Sequence, residues 1–370
     1  MGLWTLIFIL LFAGLCAGTV YLTGRIRKFK IFCRIDNRKL RTLSAFAVLA
    51  AVIAAVWFAM GAMNAVIAVI HLTVFWLLSD LIFFIAGRRR KEPFNRYYSG
   101  AAALLFTFLY LAAGCFCAYH VWATDYTVQT EKMSGELRIV QFADSHVGTT
   151  FDGKGLEKHI DSIQKLDPDI VVITGDYVDE STSKQDMADA CSALGKLKTA
   201  YGVYFAFGNH DKGLYSSGER GYGGEELIAE LEKNNVTVLQ DESVLIDDRF
   251  YIIGRQDRSE ELRSGGRASM SELVSGLDKS KYMIVLDHQP NDYAAQAESE
   301  ADLVLSGHTH GGQLFPLTVI SRWVGGNDRV YGYESRGNTN FIVTSGISDW
   351  AIKFKTGCRS EYTVIDVKGN

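Results

Sequence analysis

The sequence predicts a layered α/β domain carried behind four membrane-spanning helices. Three observations lead there. The charge is divided: residues 1–123 hold 13 Lys and Arg against 3 Asp and Glu, whereas the rest of the 370-residue chain holds 25 against 39. Three long stretches of the first third, 2–24, 42–79 and 97–124, contain no Asp, Glu, Lys or Arg. Beyond Leu137, short apolar runs alternate with stretches of helical spacing. The composition, 48% hydrophobic with only 4 Pro, excludes a disordered or collagen-like chain. Six Cys in this length exclude a disulfide-dense scaffold.

About 20 apolar residues cross ~30 Å of hydrocarbon. The first and last charge-free runs each fit one helix. The middle run, extended past Asp80 to Ala86, is 45 residues long, too long for one crossing and right for two with a tight turn near 61–64. The spans are therefore placed at 3–23, 43–61, 65–86 and 100–122. Arg25, Arg27, Lys28, Lys30, Arg34, Arg38, Lys39 and Arg41 follow span one, and Arg88, Arg89, Arg90, Lys91 and Arg96 follow span three. Positive loops stay in the cytoplasm. Two spans separate these loops, so both lie on one side, and everything after residue 123 faces outward. No basic segment precedes the first apolar stretch, so it reads as a retained span and not a cleaved signal.

Span three carries two ionisable residues. Asp80 is expected to reach the interface or pair with the basic loop, and His71 to hydrogen-bond a neighbouring helix. Cys191 and Cys358 are the two Cys of the outward part, and nothing in the sequence pairs them.

Residues 124–136 read as a tether and 137–370 as the outward domain. Strands are predicted at 137–143, 170–174, 203–207, 236–239, 243–246, 250–253, 282–286, 303–306, 341–344 and 362–367. Helices are predicted over 155–166, through Leu156, Ile160, Ile163 and Leu166, and over 185–197, through Met187, Ala190, Leu194 and Leu197. A third covers 224–234. The segments 212–222 and 255–268 are rich in Gly, Ser and charge and read as loops.

The chemistry sits at the ends of these strands. The first is followed by Asp144-Ser145-His146, the second by Gly175-Asp176-Tyr177-Val178-Asp179, and the third by Gly208-Asn209-His210-Asp211. The strand at 282–286 leads to His288, and that at 303–306 to Gly307-His308-Thr309-His310-Gly311-Gly312-Gln313. Five of the eight His fall in these segments. In open α/β sheets, ligands bind beyond the carboxyl ends of strands. Imidazole, carboxylate and amide oxygen together suit Mn, Fe, Zn or Co. Each segment alone has a plain alternative: Gly-Asp is a common turn, Asn-His-Asp caps helices, and a single His is usually structural. Their order and shared placement favour a metal centre.

These segments resemble the calcineurin-like metallophosphoesterase superfamily, which reads D-x-H, G-D-x-x-D, G-N-H-D/E, a lone His and G-H-x-H. The form of the last segment, with membrane spans before it, is similar to bacterial membrane-bound phosphoesterases. The resemblance implies a four-layer αββα sandwich and two divalent ions. Asp144, His146 and His310 would hold the first ion, and Asn209, His288 and His308 the second. Asp176 would bridge both, and Asp179 would lie behind the ligands. His210 would face the phosphate, oriented by Asp211. Two ions ~3.5–4 Å apart lower the pKa of a shared water and offset transition-state charge.

The implied activity is hydrolysis of a phosphomonoester or phosphodiester at the outer face of the membrane. A lipid headgroup or lipid-linked phosphate is a natural target there, and the bilayer itself a partner. Some relatives hydrolyse UDP-diacylglucosamine, which lies on the cytoplasmic side. The acidic outward domain repels nucleic acid. Lys212, Arg255 and Arg258 are solvated loop charges or headgroup contacts, and the apolar stretch 314–319 with Trp323 either packs in the core or dips toward lipid. The competing class is a catalytically weak metal-binding sensor that signals through the spans.

Overall fold

Four long helices come first, and their composition explains them. They are α1 (Leu3–Ile26), α2 (Arg38–Met60), α3 (Ala62–Arg89) and α4 (Tyr98–Tyr119). All four are long and apolar enough to cross a membrane. A computed structural model of the chain describes residues 3–90, 94, 96–215, 220–263, 265–324 and 326–369. It divides into two compact units, Met1–Cys115 with Ala351–Phe354, and Phe116–Trp350 with Lys355–Asn370.

In the first unit, Asn37 caps α2 by accepting from the Lys39 and Leu40 amides. Gly61, at φ 92°, makes the turn into α3, a conformation that only glycine adopts freely. Leu22, Leu49, Val69, Trp76 and Ala103 form the shared core. Asp80 pairs with Arg25 at 2.8 Å and accepts from Tyr21 and Ser99. The carboxylate is thus neutralised by the basic segment that follows α1. His71 differs from expectation: its Nδ1 lies 2.8 Å from the Ile67 carbonyl of its own helix, one turn back, where a side-chain donor can reach the i−4 carbonyl. Lys91 lies outside the described residues.

The second unit is four layers. Its strands are β1 (Val121–Thr130), β2 (Glu136–Phe142), β3 (Ile170–Thr174), β4 (Val203–Ala206), β5 (Val236–Leu239), β6 (Glu242–Ile246), β7 (Phe250–Gly254), β8 (Tyr282–Leu286), β9 (Leu303–Ser306), β10 (Gly332–Arg336), β11 (Thr339–Val343) and β12 (Ser360–Gly369). One sheet runs β1-β12-β2-β3-β4-β5 and the other β10-β11-β9-β8-β7-β6. Within the first sheet β2 to β5 are parallel, and within the second β7, β8, β9 and β11 are. Parallel strands buried on both faces read as continuous apolar runs, as in Ile170–Thr174.

Between the sheets, Leu137, Ile139, Val172 and Ala206 meet Ile252, Ile284, Leu305 and Ile342. The outer face of the first sheet is covered by α5 (Gly153–Gln164), α6 (Lys184–Leu194) and α7 (Gly224–Lys233), through Leu156, Ile160, Met187 and Leu227. Short helices cover the second sheet through Met270 and Tyr293. The fold is the expected αββα sandwich. The expected tether at 124–136 is different. Most of it is β1, which pairs in parallel with β12 over ten residues.

Candidate metal centre

The strand ends converge because β2, β3 and β4 in one sheet and β8 and β9 in the other deliver their carboxyl ends to one edge of the sandwich. The turns there are strained. Asp144, His146, Asp176, His308 and His310 all have φ between 37° and 71°. Each such residue costs about 1 kcal/mol and persists only where its surroundings hold it. They do: the Asp144 amide donates to Gly175, the His146 amide to Asp176, and the Gly307 amide to His288. Gly208 is required for close approach, since a Cβ there would overlap the Asp176 carboxylate.

Two groups of side chains result. Asp144, His146 and His310 form one, and Asp176, His288 and His308 the other, with the ligand atoms of each group within 4.8 Å of one another. Asp176 faces both, its Oδ2 lying 3.1 Å from His288 Nε2 of its own group and 3.8 Å from His146 Nε2 of the other. The remaining polar atoms point at unfilled valences. His146 Nε2, His310 Nδ1 and Asn209 Oδ1 are buried without a hydrogen-bond partner. His288 directs Nδ1 at the Thr174 carbonyl, 2.7 Å away, which leaves the Nε2 lone pair for a cation. Three orphaned atoms, the His288 and His308 imidazoles and two carboxylates fit a pair of divalent ions.

The electrostatics agree. Burial pushes Asp144 up to about 6. Burial also acts on Asp176, but the hydrogen bond from His288 and the attraction of His288, His210 and His146 together outweigh it and hold the carboxyl well below its ordinary range. Burial lowers His308 to about 4 and keeps His310 below its usual value, so both imidazoles are neutral, the form that binds metal. Asp179 sits behind the first group, with Oδ2 3.4 Å from His146 Nδ1 and Oδ1 accepting from the Ser181 amide and hydroxyl.

The family model of calcineurin-like phosphoesterases matches residues 137–312. A metallophosphoesterase of Aquifex aeolicus is 30% identical over 257 residues, which cover 68% of this chain and 93% of that protein. The chain belongs to the calcineurin-like phosphoesterase family. A metallophosphoesterase of Campylobacter jejuni is 29% identical over 80% of this chain and 78% of its own length. A transmembrane protein with metallophosphoesterase domain from Danio rerio is 34% identical over 64% of this chain. There the chain spans about half of the relative, 54% of its length.

At the mouth of this metallophosphoesterase site stands His210, and its partner is not the expected one. Asp211 does not orient it. The Asp211 carboxylate accepts from four backbone amides, those of Asp176, Tyr177, Val178 and Gly208, at 2.7–3.1 Å. It ties the loop after β3 to the loop after β4, and with those bonds made its short side chain cannot also serve the ring. His210 Nδ1 meets Glu180 instead, at 2.9 and 3.0 Å. Burial opposes the charged imidazole, but the Glu180 hydrogen bond and the Asp176 charge outweigh it and raise His210 to about 9. Arg220, buried over the Tyr222 ring, donates to the Asp211 carbonyl at 2.6 Å and fixes the loop from below. The rings of Tyr215 and Trp350, about half exposed, lie 5.0 and 5.7 Å from that of His210.

Two of the three basic residues weighed for a headgroup are engaged, and the third, Arg258, is a half-exposed loop charge. Arg255 is buried and pairs with Asp287 and Asp292, and Lys212 pairs with Glu260. Arg258 lies 3.8 Å from Glu261. Cys191 and Cys358 are both free thiols. Of the apolar stretch, Leu314 is buried, whereas Phe315, Leu317 and Val319 are exposed. The Trp323 side chain lies outside the described residues.

Proposed function

We propose that the chain is a metal-dependent phosphoesterase that works at the outer face of a membrane. The observation that carries this reading is the convergence of two three-residue ligand groups, Asp144, His146 and His310 in one and Asp176, His288 and His308 in the other, with Asp176 reaching toward His146 of the first. Two divalent ions held there would supply Lewis acidity and an activated water. Asp144, His146 and His310 would hold one, and Asn209, His288 and His308 the other. His210, charged and held by Glu180, donates to the oxygen on which negative charge develops. Asp211 keeps the Asp176 and Asn209 loops in register. The basic residues after α1 and α3 support an orientation with the phosphoesterase domain outside the cytoplasm.

The test is hydrolysis of an aryl phosphomonoester and an aryl phosphodiester by the full chain in detergent, with Mn and with chelator. Turnover of one of them should require metal and fall by about 100-fold or more in Asp176→Asn and His210→Ala. Chelator-resistant turnover, or an unimpaired Asp176→Asn, contradicts the assignment.

A further inference from the structure

The segment that supplies His308 and His310 leads, seven residues on, into an amphipathic helix, α8 (Leu317–Val324). The two are in contact, since a Cβ on Gly312 would lie 2.6 Å from Thr318 Cα. Leu314 anchors the segment inward, but Phe315, Leu317, Val319 and Ile320 are 57%, 51%, 45% and 39% exposed. A contiguous apolar patch of this kind on a folded domain marks a contact surface. Trp350, beside His210, adds a further exposed ring at the mouth of the site.

The neighbourhood of this patch along the chain identifies what covers it. The Phe315 amide donates to Thr356 Oγ1, and the Thr356 and Gly357 amides donate to the Gln313 carbonyl. The residues just before Thr356, Ala351–Phe354, cluster with the apolar helices, where Asn64 at the start of α3 donates to the Ala351 carbonyl and accepts from the Lys353 amide. The residues just after lead to Ser360, whose hydroxyl donates to the Ala118 carbonyl in the last turn of α4. Only His120 separates α4 from β1. Phe315, two residues before α8, is thus bonded to Thr356, whose chain neighbours on one side bond to Asn64 and on the other lead to the bond with Ala118.

We propose that the exposed face of Phe315, Leu317, Val319 and Ile320 rests in the lipid surface. It sets the metal centre at the bilayer, so that the substrate is a phosphoester carried on a lipid. The substrate class rests on the phosphoesterase reading, whereas the lipid contact does not.

The two parts are tested separately. The full chain, with photoreactive benzoylphenylalanine in place of Leu317, Ile320 or, as a control, the exposed Leu245 of β6, is reconstituted in nanodiscs of phosphatidylcholine and phosphatidylglycerol and irradiated. Phospholipid adducts at 317 and 320 and none at 245 are expected. No lipid adduct at 317 and 320, an equal yield at 245, or crosslinks to a second copy of the chain overturn the lipid contact. In the same discs, an aryl phosphoester is supplied with and without a long alkyl chain on its ring, monoester or diester as the unsubstituted protein prefers. The ratio of kcat/KM for the alkylated over the plain reporter should fall about tenfold in Leu317→Glu with Ile320→Glu. An unchanged ratio overturns the substrate class. Absence of turnover with either reporter removes the phosphoesterase reading and with it the substrate class, and leaves the adducts to decide the lipid contact.

Discussion

Glu180 closes on His210 Nδ1 with both oxygens, and this contact keeps the imidazole charged at neutral pH. The sign follows. The folded value of about 9 lies above the ordinary 6.5, so the charged form contributes stability below about 6.5 and loses it as pH rises through 9. Turnover that needs the charged ring should decline over the same alkaline range. Glu180→Gln keeps a hydrogen-bonding side chain but removes the charge, so a pH profile of kcat/KM should show the alkaline limb moved down by about one unit. A limb that stays in place would assign it to another group. Asp211 acts differently. Asp211→Ala leaves four buried amides without an acceptor, at roughly 1–3 kcal/mol for the first and less for each that finds water. The variant should unfold at lower temperature and bind Mn more weakly in calorimetry, whereas Glu180→Gln should unfold near the parent temperature.

Elements differed in how openly the sequence announces them. Ile170–Thr174, Tyr282–Leu286 and Leu303–Ser306 are apolar runs cut off by Gly or Asp, and their bounds are legible to the residue. The ligand segments are legible for the same reason, since each follows such a run. β1 is not. It begins two residues after α4 ends, so its first residues merge with the apolar stretch of the span, and the rest alternates half-buried and exposed positions at a sheet edge. β10 is a polar edge strand, equally silent. Glu180 left a faint signal, the second carboxylate of Asp179-Glu180. Which of the two faces His210 depends on the loop, and Asp179 is taken by Ser181 and His146. Asp211 misleads because its partners at 176–178 are near only once β3 and β4 pair. β1 also carries a practical expectation. A fragment starting at residue 131 leaves the ten-residue β12 as an open edge. It should aggregate or melt lower than one starting at 116, as read by light scattering during thermal unfolding. Equal behaviour would make β1 an ornament of the sheet.

At the scale of the molecule, the charge division marks two environments, and α4 is the covalent path between them. Its last turn is fastened to the phosphoesterase-family domain twice, through β1 and through the bond from Ser360 to Ala118. β12, which begins at Ser360, lies between β1 and β2, and β2 runs directly into Asp144 and His146. The bond at Ser360 therefore lies two strands from Asp144 and His146. A helix of 22 residues is about 33 Å long and must tilt in a thin bilayer. Rates measured in discs of short-chain and long-chain lipid should differ for the intact protein and converge in Ser360→Ala. Identical rates in both thicknesses would show the joint to be slack, and the protein deaf to strain in the sheet of lipid around its spans.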